Sequence, residues 1–199
     1  EVLQSTRLMQ DMKQKLTKKA IKMIGALKKK EDNLKKEYQQ CLDDAEDDEA
    51  LDECVENDTP YTKFFGQFVK MLKFGLQEDE KIKNKMLDLL LFKSSVDGEY
   101  VSLAEYVARK NVEQGNKLFV ISGFSVDEIE RSPFLASVRD DGYDFLYYDD
   151  PAIDEIFLTP HLDVHYKYYV FQIITKEDFV IPDDNDWTPE DEDEMFREE

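Results

Sequence analysis

The sequence has little of what site chemistry usually draws on. Its 199 residues include two histidines, two cysteines, one tryptophan and seven glycines. So few imidazoles and thiols leave no Ser/His/Asp or Cys/His constellation with supporting context. The scarce glycines never fall in the spacing of a phosphate-cradling loop. ISGFS follows an apolar run, but it lacks the lysine of a nucleotide loop and reads as a simple turn. No apolar run reaches about 18 residues, so no segment reads as a membrane-spanning helix. No charged-then-apolar leader is present either.

What is abundant is negative charge, at −20 net, and it is uneven. Residues 1–40 hold eleven bases against five acids, and residues 41–60 hold ten acids and no base. Residues 61–120 are near balance, whereas residues 121–199 hold 23 acids against five bases. Phosphate backbones would be repelled, which excludes general nucleic-acid binding. The basic first stretch remains able to meet an acidic or phosphate-bearing surface.

Residues 2–30 read as one long helix. Met9, Met12, Leu16, Ala20, Met23 and Leu27 recur at spacings of three and four, the pattern of a core-facing seam. Residues 41–60 read as a solvated, mobile acidic insertion, since such a run self-repels and buries little. Both cysteines, Cys41 and Cys54, lie in it. A lone pair rarely signals a disulfide framework, and a bridge there would only staple a loop, so none is expected.

YTKFFGQFVKMLKFG predicts a second amphipathic helix with Tyr61, Phe65, Phe68 and Leu72 on one side and Gly75 at its end. EKIKNKMLDLLLF predicts a third, and SSVDGEY a loop. Ser102 and Glu105 have capping-box spacing ahead of a fourth helix, and SVDE is a second such box. KLFVISG and YDFLYYDDP read as strands, with Ser132 and Pro133 as the N-cap and first position of a helix between them. Strand, helix, strand with short connections predicts two parallel neighbours. VHYKYYVFQIITKED is one long or two short strands, and FVIP adds another. The fold class is therefore α/β: a long connecting helix and a helical section, then a small α/β/α sandwich with a partly parallel sheet. The segments are 1–40, 41–60, 61–116, 117–182 and an acidic linker at 183–199.

Residue type alone offers three site candidates. HLDVH puts His161 and His165 one helical turn apart, a zinc-compatible spacing, but four-ligand spacing is absent and no metal is expected. Asp149 and Asp150 stand at a predicted strand end, where with Lys176 they would mimic a magnesium-dependent phosphoacceptor; no third carboxylate is evident. Aromatic residues exceed what a small core needs, so Phe64, Phe68, Tyr166 and Tyr168 are candidates for an adaptable partner surface.

Several stretches, in order, resemble one family. EVLQSTRLMQDMKQKLTKKAIKMI is similar to the end of the catalytic loop and the long helix of the 90-kilodalton heat-shock chaperones. YTKFFGQFVKMLKFGLQED, KMLDLLLFKSS and VSLAEYVARK resemble its middle-segment helices, and KLFVISGFSVDEIERSPFLASVRDDGYDFLYYDDPAIDE its small α/β subdomain. The likeness covers residues 1–30 and 61–180, and RSPF with SLAEYV is closest to the endoplasmins, the reticulum branch.

The resemblance implies a middle-segment fragment of an ATP-dependent chaperone that binds clients and couples them to hydrolysis. It implies no nucleotide pocket and no cofactor within this stretch. ATP and magnesium belong to an N-terminal domain elsewhere in a parent chain, and homodimerisation to a C-terminal domain. An ATPase-activating cochaperone is an implied partner. Glu1 to Gln4 match the residues after the family's γ-phosphate arginine, and Gln4 matches a glutamine reaching the same phosphate. A finger of that kind is worth on the order of 10³ or more in rate, so the stretch alone is expected to lack ATPase activity. The implied address is the reticulum lumen, with the cytoplasm as alternative. Departures include the 41–60 insertion, an extra residue in PAIDE, and HLDVHYKYYVF in place of a segment that usually contains a glycine–lysine pair. A non-chaperone scaffold with an acidic docking segment is the alternative function.

Overall fold

The computed structural model describes residues 7–45, 54, 59–76, 80–148, 153–154, 165–175 and 179–181. The chain divides into two compact units, Glu1–Phe68 and Val69–Glu199.

The first unit is dominated by α1 (Arg7–Asp44), 38 residues long, about 57 Å at 1.5 Å per residue. It outruns the expected end at Lys30. EDNLKKEYQQCLDD contains no glycine or proline to stop it, and a Glu31–Lys35 pair at 3.9 Å supports the next turn. The first residues of the acidic segment are thus helical. Cys41 and Cys54 are joined in a disulfide with Cα atoms 5.9 Å apart, contrary to expectation. Helix continuation to Asp44 fixes Cys41 close enough to Cys54 for bridging, a proximity that sequence spacing cannot show.

The second helix, α2 (Pro60–Gly75), starts on Pro60, whose missing N–H is no loss at a first helical position. The next two N–H groups would otherwise be orphans. Glu31, 2% exposed, serves both: Oε2 accepts from Tyr61 N at 2.7 Å and Thr62 N at 2.9 Å, and Oε1 accepts from Thr62 Oγ1 at 2.6 Å. An anion at the positive end of a helix is favourable as well. Glu31→Ala should therefore cost this unit about 1–3 kcal/mol, read as a lower urea midpoint at an unchanged slope.

The second unit holds α3 (Glu80–Leu87), β1 (Leu91–Ser94), β2 (Tyr100–Ser102), α4 (Leu103–Arg109), β3 (Lys117–Ser122), α5 (Val126–Glu130), α6 (Leu135–Asp140), β4 (Leu146–Tyr148), β5 (His165–Tyr166) and β6 (Tyr169–Ile173). The sheet runs β2-β1-β4-β3-β6-β5. The expected parallel pair is present, with Val120 opposite Leu146, and β3 is parallel to β6 on its other side.

The β1–β2 hairpin replaces the expected end of a third helix and a loop. Leu89, Leu90, Leu91 and Phe92 are all buried, and a strand buried on both faces carries no alternation to distinguish it from a buried helix. Ser102 caps α4 in the expected capping box, and Ser125 accepts from Glu128 N at 3.2 Å at the start of α5. Ser132 does not cap the next helix; α6 starts at Leu135, behind a turn at Pro133 and Phe134. Phe119, Ile121, Ile129, Leu135, Val138, Phe145 and Ile174 form the core of this unit. Gly123 is required by that packing, since a Cβ there would lie 2.6 Å from Ile129 Cγ1. FVIP adds no strand at 179–181, but Phe179 packs edge-on against Phe119.

The last segment is two strands. Lys167 turns the β5–β6 hairpin at φ 56°, a left-handed conformation that glycine adopts without strain. Lys167→Gly should stabilise the unit by about 1 kcal/mol, less any loss of the ammonium's 5.1 Å approach to the Tyr166 ring centroid. A rise in thermal midpoint tests it; an unchanged or lower midpoint would show that the turn carries no strain.

Candidate interaction surface

No group of three or more His, Cys, Asp or Glu side chains that could hold a metal ion is found among the described residues. His165 opens a strand, so HLDVH does not continue as a helix through it. Gln4, Asp149, Asp150, His161 and Lys176 lie outside the described residues.

The aromatic candidates separate by environment. Phe64 and Phe68 stack on one face of α2, with centroids 4.8 Å apart and planes inclined at 23°. Phe68 is 44% exposed although Tyr61, Phe65 and Leu72 of the same predicted stripe are buried. Tyr168 is half-buried. Tyr166 is buried, its hydroxyl donating to Asp88 at 2.7 Å, and burial with that bond and charge pushes its pKa well above the usual tyrosine value. It belongs to the sheet's interior, a place its position beside a hairpin turn did not reveal.

The expected seam of α1 is not buried in this chain. Met9, Met12, Leu16 and Met23 are exposed, with Leu8 beside them at 69%. Periodicity located the apolar face correctly, but no described element packs over it. Contiguous apolar exposure of this kind marks interaction surfaces. Phe124 and Phe134 are further exposed aromatics, at 83% and 53%, in turns that precede α5 and α6.

The second unit also holds polar clusters, two of them buried, that sequence did not single out. Buried Asp144 accepts from Ser94 Oγ at 3.0 Å, Ser95 Oγ at 2.7 Å and Arg109 Nε at 3.0 Å, while its backbone carbonyl accepts from the Tyr106 hydroxyl at 2.7 Å. These bonds tie β1, α4 and the approach to β4 together. Lys73 Nζ donates to the fully buried Asp154. Glu130 accepts from Arg139 and from the Tyr147 hydroxyl; both bonds hold its carboxyl below the ordinary range, while burial and the Glu130 bond push Tyr147 up to about 12. None of the three places a nucleophile beside a base at an open cleft. The Asp144 and Glu130 clusters fasten helices to strands, and Lys73–Asp154 ties α2 to residue 154.

The chain thus holds a long helix with a second helix capped from it, and a small α/β body whose mixed sheet has parallel strands at its centre. The Hsp90 protein family model matches residues 1–198, and the chain belongs to that family. It is 34% identical over 179 residues to an endoplasmin homolog of Hordeum vulgare, a match covering 89% of this chain and 21% of that protein. A 32% identity over 191 residues to the endoplasmin homolog of Arabidopsis thaliana covers 93% and 22%. The chain thus spans about a fifth of these relatives' length. The chaperone protein HtpG of Bacillus subtilis is 36% identical over 135 residues, covering 67% and 21%. Among solved structures, the middle domain of a putative heat shock protein of Plasmodium falciparum shares the fold, with TM-score 0.65, 24% identity, and coverage of 86% of this chain and 60% of that one.

Proposed function

We propose that this chain is the connector and client-contacting part of an ATP-driven Hsp90-type chaperone. The family match along residues 1–198 carries the reading. In it, ATP and magnesium act in a separate N-terminal domain, dimerisation in a C-terminal one, and an activating cochaperone docks on the middle segment. Gln4 reaches the γ-phosphate beside an upstream arginine, where such donors stabilise charge on the transferred phosphoryl group. Clients meet exposed apolar side chains, with the Phe64–Phe68 stack as anchor and Tyr168 as a secondary contact. The endoplasmin relatives favour the reticulum lumen, and the Cys41–Cys54 disulfide suits an oxidising compartment.

The test is aggregation of an unfolding client followed by light scattering. The chain should slow it, and Phe64→Ser with Phe68→Ser should weaken that effect while leaving circular dichroism unchanged. No slowing by the native chain would favour the alternative, a scaffold that uses its acidic segment to dock. In parallel, phosphate release from the chain alone should stay at background; real turnover would place a nucleotide site here and sink the coupling reading.

A further inference from the structure

α1 ends against its own electrostatics. A helix gathers partial negative charge at its C-terminal end, where cations are favourable and anions are not. The last turn of α1 has no basic residue and carries Asp43 and Asp44. Gln39 Nε2 donates to Asp43 at 2.9 Å, but on the exposed surface. The Cys41–Cys54 disulfide fixes that turn covalently. It closes residues 42–53, which hold eight Asp and Glu and no Lys or Arg, so closure confines mutually repelling charges. The start of α2 is held separately by Glu31 and does not need the cysteines.

We propose that this disulfide is a redox latch on the end of α1. With the bridge closed, the helix runs to Asp44; with both cysteines as thiols, its last turn unwinds and the junction at Glu31 persists. Cys41 is exposed, so its sulfur is open to attack. A thiolate of an external dithiol attacks Cys41 Sγ, the S–S bond breaks, and Cys54 leaves as a thiolate and takes up a proton. The second thiol of the reductant then displaces Cys41, and the reductant departs as its own disulfide. Two electrons and two protons pass to the protein. This reading does not depend on the chaperone assignment.

The test compares the chain before and after dithiothreitol. Alkylation and intact mass should find no free thiol before reduction and two after it; two thiols in the unreduced chain would overturn the proposal. Amide exchange over residues 38–44 should then quicken about tenfold or more on reduction, with residues 61–65 and 117–122 unchanged. Equal exchange in both forms would also overturn it, as would loss of protection throughout the first unit. Asp44→Lys, in the reduced chain, should slow exchange at residues 38–44 back toward the bridged rate; no effect would remove the electrostatic cause. In a fixed dithiothreitol buffer, raising the salt should move the equilibrium toward the bridged form by roughly threefold, because screening relieves repulsion within the closed segment. A salt-independent equilibrium would count against the same cause.

Discussion

Asp154→Ala should destabilise the second unit by about 3–5 kcal/mol, because it strands a buried ammonium. Lys73 is 6% exposed and Asp154 is fully buried, and the two are bonded directly. Taking both charges from water is costly, and their attraction returns that cost only while both are present. Removing one partner leaves the other's desolvation uncompensated. Removing both, as Lys73→Met with Asp154→Leu, should cost far less and can be neutral, since aliphatic groups of similar size fill the space. The Tyr148 hydroxyl is also buried without a hydrogen-bond partner. Burial first, and then the Asp154 charge, drives its pKa well above the usual value, so loss of Asp154 leaves the leading cause in place there. Urea unfolding of Lys73→Met, Asp154→Leu and the double variant completes the cycle. Singles that simply add to the double would mean that the pair is not coupled.

The second large effect is alkaline collapse. Tyr61, Tyr106, Tyr148 and Tyr166 are held well above the ordinary tyrosine pKa of 10.0, and Tyr147 at about 12. Burial is the leading cause at each; nearby Glu31 adds to it at Tyr61, and hydrogen bonds to Glu130 and Asp88 add to it at Tyr147 and Tyr166. Because the folded values are raised, the stabilisation is complete below pH 10 and drains away as pH climbs toward the folded values. Each protected hydroxyl contributes up to about 1.4 kcal/mol per pH unit above 10. Four of these residues lie in the second unit, so it loses up to about 6 kcal/mol per unit, against a typical total of about 5–15 kcal/mol. Unfolding between about pH 11 and 12 follows. Tyrosinate absorbance should rise in a step that coincides with loss of circular dichroism. A gradual titration of all ten tyrosines with the fold intact would contradict the burial assigned to them.

Both effects concern how the α/β body is fastened. The Lys73–Asp154 pair ties α2 to residue 154, and the Asp144 cluster ties α4 to β1 and the approach to β4. The exposed stripe of α1 and the Phe64–Phe68 stack lie on the first unit, whereas Lys73–Asp154 and the Asp144 cluster lie in the second.

The sequence by itself determined the local elements and the family. Periodicity located α1 and α2, capping chemistry located the starts of α4 and α5, and a change of period located β3 and β4, because each signal lies within a few residues of what it controls. The ordered stretches of likeness to the Hsp90 family are a property of the sequence alone. Only the tertiary structure decided the β1–β2 hairpin, since Leu89 to Phe92 are apolar on every face and carry no period. It alone decided that Met9, Met12, Leu16 and Met23 face solvent and that Tyr166 does not, because burial depends on what packs opposite. Glu31 capping a helix 30 residues away, Lys73 meeting Asp154 across 81 positions, and Cys41 reaching Cys54 are also decisions of the fold. Such contacts join groups whose separation along the chain says nothing of their separation in space.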